Sequence, residues 1–239
     1  MNAPGADFEP ILECRSLSKH FRILSRTICV FEDVLFSVKR GEIAVITGKT
    51  GSGKTTLLSL LGGLDRPTSG TILLEGRRVD QLTNPEWSTI RRGKIGFLFQ
   101  NFNLLPAWTA LENVEAAMLH TDIPKSTRRE KAQALLATCG LEEYFSHLPC
   151  ELSLGQQQLV ALARALANDP PILLADEPTG EVDPETAKEL VGRLTDSVRT
   201  KEMTLIVTTH GTFPRDAADC AFRLSNRNLT SIELGHGNS

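Results

Sequence analysis

The segment Gly48 to Thr56 reads "GKTGSGKTT": three glycines, two lysines, one serine and three threonines, lying between an apolar run "EIAVIT" and a second one, "LLSLLGG". It fits the pattern G-x-x-x-x-G-K-[ST], and each residue type has a chemical reason to be there. Glycine lets a backbone turn its N–H groups toward a phosphate with no side chain in the way. The helix expected to follow opens with unpaired N–H donors at the positive end of its dipole. Lys54 is placed to reach β- and γ-phosphates and Thr55 to offer a hydroxyl to Mg²⁺. Gly48, Lys49, Thr50, Gly51, Ser52, Gly53 and Thr56 complete the cradle.

A second candidate is "PILLADEP", Pro171 to Pro178, an apolar run that ends in two adjacent acids. Buried strands rarely finish this way without a cation or hydrogen bonds to satisfy the charge. Asp176 suits metal binding, and Glu177 suits the ordering and deprotonation of a water that attacks the γ-phosphate. Three further signals are weak alone. His210 ends the apolar run "LIVTTHG", where a lone histidine is more often a surface residue. Gln100 leaves "IGFLFQ" as an ordinary polar strand exit would. The stretch "ELSLGQQQ", Glu151 to Gln158, reads equally as the polar opening of a helix or as a phosphate-binding segment serving another chain.

The elements needed to position these groups are legible around them. The first third of the chain carries short apolar runs suited to strands: "ILECRSL", "VLFSV", "EIAVIT" and "TILLEG". From "NPEWSTIRR" to "TRREKAQALLATCGLEEYF", three- and four-residue apolar spacing argues for amphipathic helices, with openings at Asn84 and Ser126. Helix, strand, helix and strand then alternate after Ser153, which suits a parallel sheet covered by helices. Residues 101–157 are expected to be a helical insert in an α/β core formed by 1–100 and 158–239, the whole being one domain with an antiparallel β part near its amino end.

Composition narrows the class. With 239 residues, 41% hydrophobic and 23% charged, the chain suits a globular α/β domain, and a net charge of −3 provides no field to gather nucleic acid. Five cysteines are scattered without CxxC or CxxH spacing, so they are expected to be idle thiols in a reducing cytosol rather than ligands. The beginning "MNAPGADFEP" lacks the features of a secretion signal, and no run is long enough to cross a bilayer. The pairs Arg77-Arg78, Arg91-Arg92 and Arg128-Arg129 are expected on solvated faces. Phe102 and Trp108 read first as core fillers.

Taken in order, the phosphate loop, Gln100, "LSLGQ", "ILLADE", Asp183 and His210 resemble the nucleotide-binding subunit of the ATP-binding cassette (ABC) transporters, across Ile11 to Arg223. The resemblance implies a head-to-tail homodimer in which "LSLGQ" closes over the ATP on the partner's phosphate loop. It implies that Ser153 and Gly155, with Gln156 beside them, meet the partner's γ-phosphate, and that Gln100 touches Mg²⁺ and senses the membrane partner. Asp183 resembles the family's D-loop residue, Glu177 its catalytic base, and His210 its switch histidine. Phe21 in "KHFRI" resembles the aromatic that stacks on adenine, with Phe31 as a competing choice. "GGLDRPTSGTI" and "LADEPTGEVD" are similar to the lipoprotein-release and macrolide-export branch (LolD/MacB type). That branch implies a separate integral-membrane permease docking on the insert near Gln100 to Trp108, a role Phe102 and Trp108 would share, and a peripheral position on the cytoplasmic membrane face. The alternative, a soluble ABC-type ATPase acting on nucleic acid or ribosomes, lacks the second cassette or long coiled coil usual in such relatives. The chain departs from the family where Leu154 stands for Gly, Leu159 for Arg and Gly211 for Asp. Leu154 is therefore expected in ordinary helical geometry, with the Ser153 Oγ and Gly155 N–H left free.

Overall fold

The computed structural model describes residues 9–234. Its centre is a six-stranded sheet in the order β10-β9-β3-β8-β7-β6, built from β3 (Ile43–Thr47), β6 (Ile95–Leu98), β7 (Ile172–Asp176), β8 (Thr204–Thr209), β9 (Cys220–Ser225) and β10 (Asn228–Ile232). The pairs β3–β9, β3–β8, β8–β7 and β7–β6 are parallel, and only the edge strand β10 runs antiparallel. Every residue of β3, β7 and β8 is buried. Helices cover both faces of these strands, so their sequences are continuous apolar runs rather than alternating ones.

A second, antiparallel sheet in the order β2-β1-β4-β5 comprises β1 (Leu12–Ile23), β2 (Arg26–Val38), β4 (Ser69–Leu74) and the short β5 (Arg77–Arg78). The hairpin β1–β2 is far longer than the runs "ILECRSL" and "VLFSV" suggest. Its outer half is exposed, with Phe21, Ile23 and Ile28 interspersed among charged and polar residues, so no buried face marks it. The β9–β10 hairpin is likewise absent from the sequence reading.

Helix α1 (Lys54–Leu61) follows the phosphate loop, and α2 (Asn84–Lys94) leads into β6. Helices α3 (Ala110–Ala116) and α4 (Lys125–Thr138) pack together and against α5 (Leu154–Ala165), which runs across the boundary expected at 157/158, and α6 (Pro184–Lys201) returns to β8. Two openings differ from expectation. Thr83 rather than Asn84 caps α2, in a reciprocal box with Glu86, and α4 begins at Lys125 behind Pro124, with Ser126 already inside it. Arg91 departs from the solvated-face reading, because its Nη1 donates to the Gly63 carbonyl at 2.7 Å.

The two sheets share a core in which Phe31, Leu57, Leu61 and Ile72 are fully buried. Where β1 meets β4 the register shifts between Arg15 and Ser18, and Gly70 sits opposite with φ +93°. A Cβ at Gly70 would lie 2.3 Å from the Ser16 carbonyl oxygen and 2.6 Å from the Leu17 Cα, both backbone atoms that cannot swing aside. Gly70→Ala is accordingly expected to cost about 2 kcal/mol or more in strain and overpacking, read as a lowered urea midpoint at unchanged m-value.

Candidate functional site

Parallel pairing assembles the site. Thr47 lies opposite Thr209, and Asp176 opposite Thr208, so β3, β7 and β8 all end at one edge of the sheet. The loop 48–53 leaves β3 there and enters α1, with Gly51 and Gly53 at φ +77° and +103°. Gly48 is fixed by space instead: a Cβ would stand 2.6 Å from both the Leu224 carbonyl oxygen and Ser52 Oγ. In front of the loop lies a cleft of about 620 Å³, within the usual range of small-molecule sites, walled by Thr50, Ser52, His210, Gly211, Arg223 and Asn226.

Lys54 is buried, and its Nζ donates to the carbonyls of Gly48 (3.0 Å) and Lys49 (3.3 Å) while standing 3.2 Å from Glu177 Oε1. The other Glu177 oxygen accepts from the His210 backbone N–H (2.9 Å) and contacts His210 Nδ1 (2.7 Å). One buried carboxylate thus joins the phosphate-loop lysine to the histidine at the end of β8. Glu177 holds φ +46°, a costly angle for a side chain of its size, and its backbone is secured by its N–H to Thr208 O and by Gly180 N–H to its own carbonyl. Asp176 is also buried and accepts the Thr208 hydroxyl. Ser52 Oγ is buried and, among the described residues, has no hydrogen-bond partner, a polar group unsatisfied inside the 48–53 loop. The side chains of Thr55, Asp176 and Gln100 offer only oxygen donors once the Gln100 amide nitrogen is engaged, the kind of set a hard cation such as Mg²⁺ prefers.

The remaining nominated residues form a second group. Ser153 caps α5: its Oγ accepts from the Gln156 N–H at 3.2 Å, and Gln156 Oε1 accepts from the Ser153 N–H at 2.9 Å. Ser153 Oγ is therefore not wholly free, although its own proton remains available to a ligand. Leu154 has ordinary helical geometry and is exposed. Gly155 is buried against α6, where a Cβ would fall 2.8 Å from Thr186 Cγ2. Thr186 donates its hydroxyl to Asp183, which caps α6 and also accepts the N–H groups of Glu185 and Thr186. That set of hydrogen bonds, led by the Thr186 hydroxyl, holds the Asp183 carboxyl below its ordinary pKa. Gln100 Nε2 reaches Glu181 at 3.2 Å, so the strand exit and the segment before α6 meet. Among the described residues, no hydrogen bond or ion pair links Ser153, Gly155 or Gln156 to the phosphate loop.

On the antiparallel sheet, Phe21 is exposed beneath Lys19 Nζ, 4.6 Å from the ring centroid, while Phe31 is fully buried and offers no face to a ligand. Phe102 fills the core, and Trp108 is partly exposed.

Two residues escaped the sequence reading. Arg164 Nη1 and Nη2 donate to the carbonyls of Asn103 and Phe102, each at 2.6 Å, where both backbones are left-handed (φ +48° and +59°). Buried Gln158 donates to the Pro178 carbonyl at 2.7 Å, tying α5 to the segment after Glu177. The available signal was polarity out of place: an arginine and a glutamine on a helix whose neighbours, "LVALA", are all apolar.

Residues 31–180 match the family described as ABC transporter. The chain belongs to this family. It is 46% identical over 200 residues to an uncharacterized ABC transporter ATP-binding protein of Thermotoga maritima, covering 84% of this chain and 85% of that one. It is 41% identical to the lipoprotein-releasing system ATP-binding protein LolD of Hyphomonas neptunium, covering 84% and 89%. Among solved structures it is similar to the ATP-binding cassette MJ0796 of Methanocaldococcus jannaschii in a dimeric post-hydrolysis state bound to ADP and phosphate. That match has a TM-score of 0.87 at 36% identity and covers 93% of this chain and 98% of that one. The ABC transporter fold is thus shared across the two sheets and the helical region.

Replacing Arg164 by Met keeps most of the buried stem and removes both donors to the Phe102–Asn103 turn. Hydrogen bonds from a charged group are each worth about 1.5–3 kcal/mol, so amide exchange from Phe102 to Leu105 is expected to quicken about tenfold or more.

Proposed function

We propose that this ABC cassette hydrolyses ATP as a head-to-tail pair and powers a separate membrane permease of the lipoprotein-release or macrolide-export type. The observation that carries the reading is the division of the site. The loop 48–53, Lys54, Glu177 and His210 form one connected group, whereas Ser153, Gly155 and Gln156 stand at the opening of α5, where Gly155 packs on Thr186 and, among the described residues, no hydrogen bond reaches that loop. A second copy brings the two halves together.

In this reading the loop from Gly48 to Thr56 encloses the triphosphate, Lys54 exchanges its carbonyl and Glu177 partners for phosphate oxygens, and Phe21 stacks on adenine. Thr55, Asp176 and Gln100 would hold Mg²⁺, whose charge would offset that of the triphosphate. Release of Lys54 frees Glu177 Oε1 to order a water and accept its proton as the water oxygen bonds to the γ-phosphorus and the bond to ADP breaks. His210 keeps Oε2 in place through its backbone N–H and ring. Ser153 and Gly155 of the other copy donate to the γ-phosphate, and in each copy Asp183, by capping α6, holds Thr186 against that copy's own Gly155.

The permease would dock beside the Gln100 to Trp108 segment. A groove of about 380 Å³ there includes Arg91, Arg92, Phe97, Phe99, Asn103 and His120, with the Phe97 and Phe99 rings stacked at 5.3 Å. Cationic walls beside aromatic rings suit a short amphipathic helix bearing an acid. No helix among the described residues is long and apolar enough to cross a membrane, which is compatible with attachment to the cytoplasmic face through such a partner.

Glu177→Gln is expected to bind ATP normally, lose about 10²–10⁴-fold in turnover, and accumulate a dimer in size-exclusion chromatography. Full turnover by this variant would reject Glu177 as the base. Ser153→Ala should depress hydrolysis while leaving nucleotide binding to the isolated monomer intact. A strictly monomeric protein of undiminished rate would overturn the paired site. Crosslinking from position 108 in membranes is expected to capture an integral-membrane protein, and Arg92→Glu to abolish that capture.

A further inference from the structure

His20, Cys29 and Glu32 bring an imidazole, a thiol and a carboxylate together on the outer half of the β1–β2 hairpin, their ligand atoms all within 4.8 Å of one another. The cluster lies outside the site described above, and none of its members contributes to the proposed hydrolysis. Its assembly follows from the strand register. His20 is directly opposite Cys29, so the two share a face of the sheet. Glu32, three residues beyond Cys29, would point to the other face in a regular strand. The pairing, however, shifts between Lys19↔Phe31 and His20↔Cys29, leaving Val30 as an extra residue. That bulge resets the alternation and returns Glu32 to the face of Cys29, while Phe31 turns fully into the core.

We infer that His20, Cys29 and Glu32 form a binding site for a divalent cation of the zinc class, with water in the fourth position. Tetrahedral zinc with bonds of about 2.0–2.3 Å needs ligand atoms roughly 3.5 Å apart. His20 Nε2 and Glu32 Oε1 are already 3.1 Å apart, so only small side-chain rotations about Cys29 are required. A nitrogen and a sulfur donor disfavour Mg²⁺ and Ca²⁺, which separates this site chemically from the oxygen set beside the phosphate loop. A thiolate and a carboxylate together balance the dication, and the one proton released on binding is that of the Cys29 thiol. His20 is further steadied from behind, since its backbone N–H donates to Thr68 Oγ1 at 2.9 Å. The site also stands one residue from Phe21, on the reverse face of the same strand.

The test uses the full chain, free of nucleotide, in a thiol-free reductant, with Co²⁺ as the spectroscopic probe. A thiolate-to-cobalt charge-transfer band and intense tetrahedral d–d bands are expected to saturate at one equivalent and to vanish when one equivalent of Zn²⁺ is added. Cys29→Ser should abolish the charge-transfer band, and the control Cys150→Ser, which removes the exposed thiol elsewhere, should leave it unchanged. Glu32→Gln changes an exposed side chain and keeps the fold intact, and it should weaken Co²⁺ binding about tenfold or more. Absence of the band from the unaltered chain, its survival in Cys29→Ser, or undiminished affinity in Glu32→Gln would each overturn the assignment. ATP binding and hydrolysis need not be measured, so the result is independent of the proposed transport function.

Discussion

A buried carboxylate must be compensated, and in this chain the compensation of Glu177 organises the site. Taking an ionised acid out of water costs several kcal/mol unless opposite charge and hydrogen bonds replace the lost hydration. Here they come from three directions: Lys54 at the start of α1, and the backbone N–H and ring of His210 at the end of β8. Those groups converge because β3, β8 and β7 are adjacent and parallel with their ends in register. The left-handed backbone at Glu177 then serves a purpose, since it aims the carboxylate between its two partners rather than along the strand.

The same economy of contact ties the helical region to the sheet. Helix α5 meets one helix and two loops through three different residues: Gly155 lets α6 and its Asp183 cap approach, Gln158 holds the Pro178 carbonyl, and Arg164 clamps the turn after Gln100. The first is close packing, and the other two are hydrogen bonds. Through Gln158 and Arg164, α5 is tied to the segment beside Glu177 and to the turn after Gln100, so a displacement of α5 would strain both hydrogen-bonded contacts.

What could be read from the sequence follows from which forces act locally. The turn from β3 into α1 was legible because Gly51 and Gly53 take left-handed backbone angles that favour glycine in any context. The strands β3, β7 and β8 were legible because burial on both faces leaves an unbroken apolar run. The outer half of β1–β2 was not, since its residues are chosen by cross-strand pairing and exposure rather than by a core. Arg164 and Gln158 were hidden because their partners are carbonyl groups 61 or 62 and 20 residues away, which no spacing rule reaches. Cys29 shows the same limit most clearly. A search for ligands at fixed spacing dismissed it, and only the pairing with His20 and the bulge at Val30 reveal its neighbours.

The departures at 154 and 159 also become intelligible through position. Leu159 is buried within the cluster that unites α3, α4 and α5 with the sheet, so an aliphatic side chain there adds to the core and leaves no charge requiring a partner. Leu154 does the opposite. It is 53% exposed, next to Ser153 at the opening of α5, on the surface that would close over a partner's nucleotide. In ordinary helical geometry its Cβ introduces no backbone strain, so the cost of replacing glycine lies in the volume presented to the partner rather than in the fold. On the proposed pairing that volume displaces water from the seam, gaining apolar burial on closure while crowding the approach of Ser153 to phosphate. The balance between these two effects is therefore set in the dimer, through the half of Leu154 that stays exposed in its own chain.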